Sequence, residues 1–94
     1  MRDYYIVAYD ISDQKRWRQV YRKMQGYGNA LQYSVFMCDI SMMEKAMMMG
    51  ELQRIIVQSE DRIMFVKLSG EDPTERIEFI GKKVTIPLRQ ATII

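Results

Sequence analysis

Histidine is absent from this sequence and cysteine occurs once, at Cys38. The first absence excludes histidine-based triads, imidazole acid–base catalysis and histidine zinc sites. The second excludes a disulfide within the chain. With neither a signal-peptide pattern nor a long apolar run, this cysteine usage leads us to expect a cytoplasmic protein with no membrane partner. Carboxylates are then the strong metal ligands left, and they suit magnesium or manganese. A large charge excess is also lacking: 14 Lys and Arg against 12 Asp and Glu leave a formal net charge of +2. Any cationic surface must therefore come from clustering along the fold.

What is present is enough to fold. Apolar residues make up 48% of the 94 positions and charged residues 28%, which fits one domain over residues 1–94 with a modest core. A chain this short leaves apolar surface exposed, so an oligomer is expected. No internal repeat, linker or low-complexity segment interrupts it.

The stretch Tyr4–Tyr9, YYIVAY, is aromatic, β-branched or small throughout and reads as a strand. It ends in Asp10, a residue disfavoured in strands and costly beside a buried one unless neutralised. Ser12 or Asp13 can cap a following helix whose stripe is Trp17, Val20, Tyr21 and Met24. Lys15, Arg16, Arg18, Arg22 and Lys23 fall outside that stripe. The GYG that follows offers Gly26 or Gly28 as a left-handed cap. Ala30–Ile40 is β-rich and too long for one strand, which predicts two short strands bent near Ser34. Ser41 and Glu44 form a capping box for a second helix, which is expected to reach about Gln58 and to bury some of Met48, Leu52, Ile55 and Ile56. DRIMFVKLS is a strand with Ile63 and Phe65 on one side and Met64, Val66 and Leu68 on the other. GEDPTE is a loop, RIEFIG a short late strand, and residues 82–94 a further strand or tail.

The order β-α-β-β-α-β predicts an α+β, ferredoxin-like domain: an antiparallel sheet with both helices on one face. The first and fourth strands are nevertheless apolar on both faces. The simplest cover for the open face is the same face of a second copy, a face-to-face homodimer. Asp10 at the end of the first strand would then approach its symmetry mate, and two such carboxylates could hold a hydrated ion. The alternative is that Asp10 starts the turn or helps cap the helix.

YDISDQKRWRQVYRKMQGYG followed by LQYSVFMCDIS resembles the CRISPR-associated protein 2 family. The shared pattern is an apolar strand ending in Tyr-Asp, an Asp-x-Lys-Arg opening to a basic helix, Gly-Tyr-Gly, then Gln-Tyr-Ser-Val-Phe and an acidic strand end. EDRIMFVKLS and ERIEFIG look like the later strands, so the likeness spans about residues 4–81. The resemblance implies a prokaryotic protein of CRISPR spacer acquisition. Its homodimer would bridge dimers of the CRISPR-associated protein 1 integrase beneath duplex DNA, and its last strand would extend the partner's sheet. It also implies a metal-dependent nuclease acting on RNA or DNA, with Asp10 as catalytic residue and magnesium ligand, manganese being able to substitute. Without histidine the general base for such a hydrolysis is weakly defined.

Two departures weigh against the nuclease role: Ala30 and Trp17 stand where many members carry basic residues. The DNA-bridging role instead makes Lys15, Arg16, Arg18, Arg22 and Lys23 phosphate contacts, with a weaker cluster at Lys82, Lys83 and Arg89. Ser34 and Phe36 shape the surface near Asp10. Tyr9, which could orient it, belongs by strand alternation to the opposite face. Five of the nine methionines crowd into MMEKAMMMG, more than one helix face can bury, and mark a candidate contact for the integrase. The readings to be weighed are therefore an adaptor, a stand-alone metal-dependent endonuclease, and a toxin-like ribonuclease outside CRISPR.

Overall fold

The first strand, apolar on both faces, sits inside the sheet, where both its edges find partners. In the computed structural model, which describes residues 1–68, 73–82 and 84–85, that strand is β1 (Arg2–Asp10). It is followed by α1 (Gln14–Gln25), β2 (Gly28–Gln32), β3 (Val35–Ser41), α2 (Met42–Ile55), β4 (Arg62–Leu68) and a 3₁₀ turn at Pro73–Arg76. The sheet order is β2-β3-β1-β4, with every neighbouring pair antiparallel. This is the expected ferredoxin-like split β-α-β arrangement.

The sheet separates two clusters by strand alternation. On the helix side, Tyr5, Val7, Tyr9, Phe36, Cys38 and Ile40 pack against Val20 and Met24 of α1 and Met48 and Leu52 of α2. Trp17 and Tyr21 complete the stripe of α1 from its half-buried edge. Cys38 is wholly buried, and that burial pushes its thiol up to about 12, which makes it an inert core residue. On the open side, Tyr4, Leu31 and Met37 form a smaller cluster with Ile6, Val35 and Leu68 around it.

Local chemistry explains the helix ends. The Asp13 side chain accepts from the Arg16 N–H and caps α1. Ser41 and Glu44 form the complete reciprocal capping box of α2. Gly26, however, stays right-handed at φ −77°, so the left-handed cap expected there does not form. The helix instead closes with tight bonds, from the Gly26 N–H to Lys23 O and from the Tyr27 N–H to Met24 O. Gly28 serves a different purpose: a Cβ there would lie 2.3 Å from the carbonyl oxygen of Met37 on the adjacent strand. The β2–β3 bend falls at Tyr33–Ser34, as the sequence predicts, and a register irregularity lies between Ala30 and Gln32.

Three further corrections concern extents. Helix α2 stops at Ile55 rather than near Gln58, because Ile56 turns to extended backbone. RIEFIG is not a strand in the described chain: Ile77 lays its side chain on the open-face cluster, beside Val84. A segment lying across a face cannot also pair in the plane of the sheet. Of the C-terminal strand or tail expected over residues 82–94, only Lys82, Val84 and Thr85 are described, and none of these is in a strand. Lys83 and Arg89 lie outside the described residues. Among the methionines of α2, Met48 is buried while Met42, Met43 and Met47 are largely exposed.

The glycines supply a stability test. Gly28→Ala should destabilise the fold by about 1–3 kcal/mol, because the clash is with backbone rather than with a yielding side chain. Gly50 is mid-helix, and a Cβ at that position would have nothing within 4 Å. There Ala should stabilise by about 0.5–1 kcal/mol. Urea denaturation of the two variants checks both signs.

Candidate nucleic-acid interface

One end of the sheet gathers most of the residues singled out from the sequence. The C-terminus of β1, the β2–β3 turn, the N-terminus of β4 and the first turns of α1 all meet there. Antiparallel pairing requires this, since the last residue of β1 lies opposite the first of β4: Asp10 is in register with Arg62.

The junction is held by a carboxylate absent from the sequence-based candidates. Asp61, whose side chain has no exposure, accepts from Arg16 Nε at 2.8 Å and Arg16 Nη2 at 3.2 Å. It also accepts from the backbone N–H of Ser12 at 3.0 Å and of Val57 at 2.8 Å. The Arg16 bonds hold the Asp61 carboxyl well below the usual carboxylate range, outweighing the burial that alone would raise it. Arg16 also reaches Glu60 at 3.4 Å. Asp61 thus joins the β1–α1 connection to the α2–β4 connection, and Arg16 is spent on that bond.

The remaining cations of α1 divide cleanly. Lys23 pairs with Glu51 at 3.0 Å, and Glu51 also accepts from the Tyr27 hydroxyl. Lys15, Arg18 and Arg22 are exposed and make no ion pair among the described residues. Their spacing of three and four places them on one face of the helix. Of the five cations expected to contact phosphate, the structure leaves these three free in a row.

Asp10 is exposed on the open face, on the same side of β1 as Ile6 and Ala8. Tyr9, Phe36 and Ser34 lie across the sheet from it. Tyr9 stacks on Phe36 with centroids 6.2 Å apart, and its backbone N–H donates to Ser34 O at 3.0 Å. Burial raises the Tyr9 phenol above its ordinary value. Ser34 Oγ accepts from the Trp17 indole N–H at 2.8 Å. Tyr9, Ser34 and Phe36 therefore form one packed unit with Trp17, on the helix side, and bear on Asp10 only through the strand between them.

Within the described residues of one chain a three-ligand magnesium site is not complete. Among the described residues no three His, Cys, Asp or Glu side chains converge as metal ligands. The cross-strand neighbour of Asp10 is an exposed guanidinium, Arg62, which repels a second cation at that point. Sequence reasoning passed over Arg62 although a signal existed: once β1 and β4 are taken as antiparallel neighbours, their facing ends must meet.

Comparison with known proteins places this geometry among relatives. The family profile described as CRISPR associated protein Cas2 matches residues 1–76. A protein of Rhodospirillum rubrum named CRISPR-associated endoribonuclease Cas2 1 is 41% identical over 91 residues, covering 96% of this chain and 89% of that protein. A Geobacter sulfurreducens protein named CRISPR-associated endoribonuclease Cas2 is 36% identical over 95 residues, with 100% of both chains covered. The crystal structure of Streptococcus pyogenes Cas2 at pH 6.5 superposes with a TM-score of 0.77 at 31% identity, covering 83% of this chain and 99% of that one.

The Asp61 junction predicts a contrast. Asp61→Ala should cost about 2–3 kcal/mol by orphaning buried donors, whereas Glu60→Ala at the rim should change stability by less than about 0.5 kcal/mol. The folded-state pKa of Asp61 is depressed, so its stabilisation is full above the unfolded value near 3.9 and is lost as pH falls below it. Acid titration of Asp61→Asn, followed by circular dichroism, should show a shallower loss below about pH 4 than the wild type.

Proposed function

The chain belongs to the CRISPR-associated Cas2 family, and we propose that it acts there as a homodimeric adaptor of spacer acquisition. In this reading it binds the backbone of duplex DNA and bridges dimers of the CRISPR-associated protein 1 integrase. The observation that carries it is the free row Lys15, Arg18 and Arg22, three exposed cations on one helix face with no acidic partner among the described residues. Arginine's planar fork and lysine's point charge both suit phosphate, and such contacts position a duplex without reading its sequence.

The dimer would use the open face, where Met64 and Val66 of β4 remain 54% and 40% exposed. Two copies joined through this face would turn both α1 rows outward. The exposed methionines of α2, Met42, Met43 and Met47, are the surface offered to the integrase, since flexible thioethers adapt to a partner's shape.

A second reading, a magnesium- or manganese-dependent nuclease, is favoured by one observation: Asp10 is exposed and makes no ion pair among the described residues. The metal, when bound, would offset charge on the attacked phosphate. Within the chain Asp10 would be its ligand, but the sequence has no histidine to accept a proton, and among the described residues no three acidic or thiol side chains converge to form a fuller site. The adaptor reading needs no such group.

Replacing Lys15, Arg18 and Arg22 together with Gln should weaken duplex binding by at least about tenfold near 0.1 M salt, and should flatten the salt dependence by about one unit of slope for each phosphate no longer neutralised. Lys67→Gln, whose lysine pairs with Asp3 on the sheet, should leave both unchanged. Fluorescence anisotropy over a salt series checks this, and an unaltered slope in the triple variant removes the reading. For Asp10→Asn, neither it nor the wild type should cut labelled RNA, single-stranded DNA or duplex DNA in magnesium, manganese or chelator, with the dimer confirmed by light scattering. Metal-dependent cleavage that disappears with Asp10 would instead establish the nuclease.

A further inference from the structure

Between the α1 row and the sheet end lies an aromatic column that neither reading uses. It begins in the core at Phe36, whose ring meets the edge of Tyr21 at 5.3 Å. Tyr21 stacks on Trp17 at 5.0 Å and 20°. Trp17 stacks in turn on Tyr33 at 4.1 Å and 24°. The column ends there, because Tyr33 at the β2–β3 turn is 74% exposed.

The column is held rigid from below. The indole is fixed by its N–H bond to Ser34 Oγ at 2.8 Å and by packing against the helix-side core. Tyr33 therefore stacks on a support that cannot swing away, and it leaves much of its own ring to solvent. A hydrophobic residue whose only purpose was to cover Trp17 would be buried further than this.

The surroundings identify the class of ligand. Arg18 and Arg22 each follow an aromatic of the column, Trp17 and Tyr21, by one residue. At about 100° per residue the cationic row therefore borders the aromatic edge of the same helix. An open ring beside a line of free cations is the combination that holds single-stranded nucleic acid, phosphates on the cations and a base on the ring. A base inside a duplex has both faces covered by its neighbours, so the ring selects an unpaired one.

We propose that Tyr33, braced by Trp17, is a stacking platform for an unpaired nucleobase of a single-stranded segment whose phosphates lie along Arg18 and Arg22. The platform is tolerant of sequence, since every base presents a π-face. The proposal shares Arg18 and Arg22 with the adaptor reading and to that extent rests on it, but its substrate is single-stranded and its deciding residue is different.

The test uses the full chain and its sole tryptophan. Wild type, Tyr33→Ala and Tyr33→Phe are titrated with labelled single-stranded DNA, single-stranded RNA and a blunt duplex of equal length, with anisotropy and Trp17 emission read together. Tyr33→Ala should weaken single-strand binding by at least about fivefold and leave duplex binding within about twofold, while Tyr33→Phe, which keeps the ring, should match wild type. Single strands should change Trp17 emission in wild type and in Tyr33→Phe, and less in Tyr33→Ala. Single-strand affinity indifferent to Tyr33→Ala overturns the proposal, and so does an equal loss on duplex. If the triple Gln variant keeps full duplex affinity while single-strand binding still depends on Tyr33, the adaptor reading falls and the platform stands.

Discussion

The strand end depends on a carboxylate that water does not reach. Asp61 takes two bonds from Arg16 and one each from the Ser12 and Val57 amides, so three residues of two chain segments converge on one side chain. A buried charge is tolerable only when its acceptor sites are filled, and here they are. Because the two connections it joins lead out of β1 and into β4, it also sets how Asp10 and Arg62 face each other. Loosening it would disturb the candidate interface before touching any residue that meets a ligand.

That bond also sorts the charges of α1. A helix carrying Lys15, Arg16, Arg18, Arg22 and Lys23 looks uniformly cationic, yet Arg16 and Lys23 are neutralised within the chain. What remains for a partner is a line of three. The same logic applies to one departure from the family pattern. Trp17, where the resemblance would put a cation, instead builds the aromatic column. Free cations, with no three-ligand metal cluster among the described residues, are the features on which the proposed adaptor reading rests, and the supported aromatic ring is the one on which the proposed platform rests.

Much of the fold was legible because its signals are local. The stripe Trp17, Val20, Tyr21 and Met24, the capping box at Ser41 and Glu44, and the two-sided apolar character of β1 each depend on a few neighbouring residues and held in three dimensions. The errors fell where a residue's role is set at a distance. Gly28 reads as a helix cap by position, but it is needed because Met37 of the adjacent strand passes close to it. RIEFIG reads as a strand by composition, but Ile77 goes to the open face instead.

The amino-acid order by itself determined the α+β pattern, the family likeness and the identity of the residues near the sheet end, since periodicity, capping and motif spacing are written within a few turns of chain. Only the tertiary structure decided which cations stay free, which face Asp10 takes and which ring is left open. Those outcomes rest on contacts between residues far apart in sequence: Arg16 with Asp61, Asp10 opposite Arg62, Trp17 against Tyr33. Side-chain charge and aromaticity are local properties, whereas their satisfaction depends on what the fold brings within a few ångströms.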